Sequence, residues 1–290
     1  MWMAASPRAS TGSDSADRFF IADGARLRYR DEGSGPAVVL LHGWTLDLEM
    51  WEPQVAALRE GWRLVRLDRR GHGQSSGAAR SECDASDLAA LCRHLGLERV
   101  ALFGMSQGAR GVLGFAATAP ARVSCLVLDG PPDLLDDRTG EEEVLLSHYR
   151  SLVQTGGIDA FRSAWAAHPL MQLRTSDAAR RALLQAMIHR YPGRELSQQD
   201  SQEELSVRPV SAVAAEIPFD MVRAPALIIS GESDLPSRLK AARRLCARLP
   251  RGEQALVSDA GHLPNLDNPP RYNALCRAFL ARHASQPTSS

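Results

Sequence analysis

VALFGMSQGARG, residues 100–111, runs an apolar strand into a glycine-rich turn and on into a helix. Glycines in such a turn supply positive φ or let two backbones approach closely. That shape serves two chemistries. It can expose Ser106 as a nucleophile in the pattern G-x-S-x-G (GMSQG, 104–108), or it can cradle a phosphate. The phosphate reading needs G-x-G-x-x-G in an early βα unit, whereas here a serine replaces the middle glycine on a late strand. The nucleophile reading needs a strand before the serine and a helix after it, which the flanking residues supply.

The residues around the turn extend the pattern. FFIADG and RLRYRDEG read as an antiparallel pair, and AVVLLHG (37–43) is a continuous apolar run of the kind that fills a central strand covered on both faces. EMWEPQVAALREG reads as a helix ending at Gly61, WRLVRLD as a strand, and DASDLAALCRHLG as a helix with Asp84 as N-cap and Gly96 at its end. VSCLVLDG (123–130), PALIISG (225–231) and QALVSDAG read as further strands, with helices over SRLKAARRLCARLP and PPRYNALCRAFLARH. Short apolar runs alternating with helical spacing indicate an α/β fold with a largely parallel sheet. The alternation stops between Pro132 and Glu216, where EEEVLLSHYRSLVQTG, IDAFRSAWAAH and SDAARRALLQAMIHRY are all helical in period. We therefore expect a disordered tail over 1–17, a core built from 18–132 and 217–283, a helical cap over 133–216, and a short tail over 284–290. An insertion at a strand's carboxyl end lies above the site face of such a sheet.

A serine hydroxyl is a weak nucleophile until a base takes its proton. Asp234 follows ALIISGES and His262 follows QALVSDAG, each at the end of a strand, so the chain order is Ser106, Asp234, His262. Parallel strand ends emerge on one edge, where three such side chains can meet. Asp129, at the end of LVLDG, is the alternative acid. A serine that attacks a carbonyl also needs two N–H groups for the oxyanion; Gln107, after the nucleophile, and Trp44, in the loop after AVVLLHG, are placed to give them. His42 holds that loop or borders the substrate pocket, Asp68 and His72 brace a turn, and Asp259 caps a loop. In the insertion, Trp165, His168, Met171 and Met187 are candidate pocket residues, with Tyr149 and Phe161 in reserve.

Composition narrows the function. Lys+Arg and Asp+Glu balance at 34 each, which gives no nucleic-acid footprint. No stretch of about 18 apolar residues exists, so no membrane span is expected. Cys83, Cys92, Cys125, Cys246 and Cys276 show no CxxC pairing and read as reduced thiols, consistent with a cytoplasmic enzyme. No metal-ligand spacing such as H-E-x-x-H occurs, and no cofactor is expected.

Four motifs in order, LLHGW (40–44), LDRRGHGQSS (67–76), GMSQGA (104–109) and SGESD…GH (230–234, 261–262), resemble the α/β-hydrolase superfamily over nearly all of residues 18–283. The closer likeness is to bacterial arylesterases with perhydrolase activity, cofactor-free haloperoxidases and 3-oxoadipate enol-lactonases. The resemblance implies a mostly parallel eight-stranded sheet with a cap after the sixth strand. It also implies Ser106 as nucleophile, Asp234 as acid, His262 as base, and Trp44 and Gln107 as oxyanion donors. Gln107 departs from the Met or Leu of many relatives, and over the cap the resemblance implies no specific substrate. The expected activity is hydrolysis of a small-molecule ester or lactone. Carbon–carbon bond hydrolysis and perhydrolysis share the same triad, and a small-molecule receptor on the same fold is the alternative of another class.

Overall fold

The computed structural model describes residues 16–135, 141–197 and 217–284. The expected tails over 1–17 and 284–290 lie almost wholly outside them, as does the last part of the expected cap. The chain opens with β1 (Arg18–Ala22) and β2 (Ala25–Glu32), joined at Asp23-Gly24 with φ of 42° and 72°. Two positive φ values match the right-handed twist of a hairpin, which is why Asp-Gly stands there. β3 (Ala37–Leu41), β4 (Arg63–Leu67), β5 (Val100–Met105), β6 (Val123–Asp129), β7 (Ala226–Gly231) and β8 (Gly252–Val257) complete one eight-stranded sheet in the order β1-β2-β4-β3-β5-β6-β7-β8. β2 pairs antiparallel with its neighbours β1 and β4; all later pairs are parallel.

The strand period of two sorts the apolar residues onto both faces. Val38, Leu40, Phe103 and Val127 point to one core, where they meet Trp51 and Phe279 from α1 (Glu52–Leu58), its preceding turn, and α9 (Pro269–His283). Val39, Leu41, Leu102 and Leu128 point to the other, against α2 (Asp84–His94), α3 (Gln107–Thr118) and α7 (Pro236–Arg248). This two-sided burial accounts for the unbroken apolar runs in β3, β5, β6 and β7.

Between β6 and β7 the described residues contain no strand. α4 (Glu141–Ala167) is broken at Gly157, whose φ of 75° and ψ of 178° are not helical, and α5 (Ala178–Arg190) and α6 (Arg194–Ser197) follow. Arg190 binds Asp47 and Glu49, tying α5 to the loop after β3. Two local expectations shift. The strand expected over 254–261 stops at Val257, because Asp259 takes a φ of 55° that a strand cannot contain. Asp84 is the first residue of α2, not its cap; its buried carboxylate is taken by Arg69 at 2.7 Å.

The segment 66–75 is a buried charged turn. Asp68 accepts from the N–H groups of Leu48 and Gln74, both at 2.8 Å, and from Arg28 at 3.2 Å. His72 lies 2% exposed beside it, with its Nδ1 on Arg70 O at 3.1 Å. Burial lowers the His72 pKa to about 4 and lifts that of Asp68 to about 7. A histidine held below its unfolded value gives stability that is present above about pH 6.5 and lost as pH falls through about 4, here on the order of 3 kcal/mol. Asp68 acts in the opposite sense, so the histidine contribution is read by difference. Urea denaturation should show wild type losing stability relative to His72→Gln between pH 6.5 and 4; parallel profiles would contradict this.

Candidate active site

Ser106 sits between β5 and α3 with φ 49° and ψ −116°. A non-glycine residue pays roughly 1–3 kcal/mol for such a conformation, so its surroundings must enforce it. Ser106 N–H donates to Asp129 O at 2.7 Å, and Ala109 N–H donates to Ser106 O at 2.9 Å. The flanking glycines allow close approach: a methyl at Gly104 would fall 2.6 Å from Gly108 O, and one at Gly108 would fall 2.5 Å from Leu41 O. The left-handed residue of the turn is the serine itself, and the glycines let α3 press against β5 and β3.

His262 and Asp234 lie on the loops after β8 and β7. His262 Nδ1 is 3.0 Å from Asp234 Oδ2, and both side chains are almost fully buried. The Asp234 Oδ1 accepts from Leu235 N–H at 2.7 Å. With Nδ1–H given to the carboxylate, the imidazole Nε2 is left to act as a base. Ser106 and His262 share the wall of one cavity. No hydrogen bond joins them among the described residues, and such contacts commonly tighten only with substrate. Asp129, the alternative acid, is fully buried, with neither carboxyl oxygen hydrogen-bonded among the described residues. Burial, with Asp234 nearby, pushes its carboxyl pKa well above the usual range, and the carboxylate that meets His262 is that of Asp234.

Beneath the loop after β3, His42 Nε2 accepts from Arg69 N–H at 2.9 Å, so its Nδ1 carries the proton given to Gly43 O at 2.7 Å. That neutral ring pins the loop presenting Trp44. The Trp44 indole N–H reaches Tyr191 Oη at 3.0 Å and Glu195 Oε1 at 2.7 Å, and Tyr191 in turn bonds Glu195. Trp165 Nε1 donates to Thr45 Oγ1 at 2.7 Å. The loop is thus held from below by His42 and from above by the helical insertion. Gln107 begins α3, where backbone N–H groups lack helical partners and can face an anion. Its side-chain oxygen accepts from Arg69 Nη1 at 3.3 Å, and Arg69 is fixed by Asp84.

The cavity has both polar and apolar walls. Ser106, Gln107, His262 and Arg238 supply its polar groups. Trp44, Trp165, Met105 and Met171 line it together with Leu46, Leu145, Leu146 and Leu170. Of the candidate pocket residues, Trp165 and Met171 border it. His42 does not, because it is buried under the loop it braces, and Met187 is buried in the core that the insertion shares with the sheet. His168 stacks on Trp165 at 4.8 Å outside the lining, with Nδ1 accepting from Leu170 N–H at 3.2 Å. Tyr149 and Phe161 pack around Trp44.

The profile of the α/β hydrolase fold family matches residues 36–269. The chain belongs to that family. This α/β hydrolase is 28% identical over 272 residues to a 2-hydroxy-6-oxononadienedioate/2-hydroxy-6-oxononatrienedioate hydrolase of Dechloromonas aromatica, covering 88% of this chain and 90% of the relative. It is 27% identical over 257 residues to a pimeloyl-[acyl-carrier protein] methyl ester esterase of Nitrosomonas europaea, covering 86% and 97%. Among solved structures, the enol-lactonase of Burkholderia xenovorans LB400 superposes with a TM-score of 0.69 at 25% identity, covering 91% of this chain and all of that one.

The hydrolase also contains site residues that motif reading missed. Asp267 is 6% exposed; its Oδ2 accepts from Gly261 N–H at 2.7 Å, and its Oδ1 from the N–H groups of Arg174 at 2.6 Å and Thr175 at 3.1 Å. One carboxylate therefore fixes the loop beside His262 and the stretch between the insertion's helices. Replacing it by asparagine turns an acceptor into a donor against N–H groups, each costing about 1–3 kcal/mol if left unpaired. Asp267→Asn should lower urea stability by roughly 2–4 kcal/mol and reduce kcat by tenfold or more through misplacement of His262. A variant with wild-type stability and kcat would remove this role.

Proposed function

We propose that this α/β hydrolase cleaves a carboxylic ester or lactone through an acyl-enzyme. His262 Nε2 takes the proton of Ser106 as its Oγ attacks the carbonyl carbon. Asp234 holds the Nδ1–H tautomer and stabilises the imidazolium. The backbone N–H groups of Trp44 and Gln107 receive the oxyanion, a contribution of about 10²–10³ in rate per donor. The imidazolium protonates the leaving oxygen, and water then attacks the acyl-enzyme with His262 again as base. The observation that carries the reading is the 3.0 Å His262–Asp234 contact on the cavity wall shared with Ser106. The five free cysteines fit a reducing compartment, which supports a cytoplasmic location.

The likeness to an oxononadienedioate hydrolase supports a second reading, carbon–carbon bond hydrolysis with the same residues. Steady-state assays on a panel of p-nitrophenyl esters, small lactones and a ring-cleavage diketone separate the two. The proposal expects sustained multiple turnover of esters or lactones. Diketone cleavage alone would favour the second reading. A single slow turnover on every member would indicate a receptor, and added peroxide giving peracid in place of acid would indicate perhydrolysis.

A further inference from the structure

Arg238 is the one cationic side chain lining the cavity among the described residues, and neither the fold nor the proposed mechanism uses it. It stands in the first turn of α7, four residues after Asp234. No acidic side chain among the described residues pairs with it. Asp234 is not available, because both its oxygens are engaged, one by His262 and one by Leu235 N–H. Other arginines around the site have partners: Arg69 has Asp84, Arg180 has Asp177, and Arg190 has Asp47 and Glu49.

A structural explanation for this arginine is weak on two counts. A cation in a helix's first turn is opposed by the positive end of the helix dipole, so Arg238 does not serve α7. It is half-buried and lines the same cavity as leucine, methionine and tryptophan side chains, where it has no carboxylate partner among the described residues. The guanidinium and the helix end add to the same positive field, and among the described residues no carboxylate lines the cavity to cancel it. A planar fork of N–H donors matches a carboxylate's two oxygens. Burial, then Arg238, then His262 hold the His168 pKa below its usual value.

We propose that Arg238 is a carboxylate subsite of this cavity, so that the substrate is an acidic ester or lactone bearing a free carboxylate within reach of the scissile carbonyl. The inference rests on the serine-hydrolase reading above. The apolar lining receives the carbon chain, Arg238 fixes the charged end, and the two together set which carbonyl stands over Ser106.

The test compares three esters of matched length: ethyl pentanoate, monoethyl adipate with the carboxylate on the acyl side, and the pentanoate ester of 3-hydroxypropanoate with it on the alcohol side. The quantity read is the ratio of kcat/KM for each acidic ester to that for ethyl pentanoate. In wild type at least one ratio should exceed roughly 10, and in Arg238→Gln it should fall by about 10- to 100-fold, the range of a hydrogen-bonded charge. Arg238→Lys should restore part of it. Because the readout is a ratio within each protein, general damage to folding cancels, and the wild-type preference stands as evidence even if a variant does not fold. Turnover of ethyl pentanoate with ratios below 1 for both acidic esters, or a ratio that survives Arg238→Gln, would overturn the subsite while leaving the serine mechanism in place. No turnover of any ester, together with no modification of Ser106 by a fluorophosphonate, would overturn both.

Discussion

Ser106→Ala should abolish ester turnover, with kcat/KM falling by about 10⁵–10⁶-fold. The size follows from the mechanism: without Oγ no acyl-enzyme forms, and the remaining catalysis comes only from binding and the oxyanion donors, roughly 10³–10⁴ over water. Folding should be preserved, since Ser106 is held by its backbone bonds to Asp129 and Ala109, which alanine keeps. Hydrolysis of a p-nitrophenyl ester by purified wild type and variant, with thermal melts of both, measures the two quantities together. A variant that melts like wild type and retains more than a hundredth of its activity would exclude Ser106 as the nucleophile.

The second large effect separates the two strand-end acids. Asp234→Asn should lower kcat by about 10⁴-fold, because asparagine no longer stabilises the imidazolium or enforces the Nδ1–H tautomer. Asp129→Asn should cost less than tenfold. The Asp129 carboxyl is fully buried beside Tyr272, and burial raises its pKa well above the usual range. An amide of the same shape brings no charge into that site. The stability consequence has a definite sign. A carboxyl whose folded pKa is raised favours the fold most below its unfolded value near 3.8 and loses that contribution as pH rises towards the folded value. Asp129→Asn should therefore gain stability relative to wild type as pH rises from 4 towards 8. Kinetics of both variants, with melts across that range, test this; the opposite ranking of activities would exchange the roles of the two acids.

Much of this architecture was readable from residue order. Strands buried on both faces announce themselves as unbroken apolar runs, and Asp23-Gly24 and Gly157 mark a hairpin and a helix break through backbone conformations that few residues adopt. Ser106, Asp234 and His262 were legible for a topological reason: each follows a strand, and parallel strands bring their ends to one edge. What stayed hidden depends on contacts between distant parts of the chain. The bonds from Trp44 to Tyr191 and Glu195 join residues about 150 apart, and no local pattern marks either partner. Asp84 looked like a cap because an aspartate before a helix usually is one; its pairing with Arg69 depends on where the segment 66–75 folds back. The candidate pocket residues divided for a similar reason. Helical period identifies apolar faces, but only packing decides that Met171 faces the cavity and Met187 faces the core. Arg238 was silent in sequence because a surface arginine and a cavity arginine are written alike.

The central claim is that Ser106 carries the acyl group. Treatment with a fluorophosphonate, followed by intact-mass and peptide mass spectrometry, tests it most directly. We expect one adduct per chain, on the peptide containing Ser106, with activity lost in proportion to labelling and no adduct on Ser106→Ala. An active enzyme that resists labelling, or one inactivated by an adduct on a different residue, would contradict it.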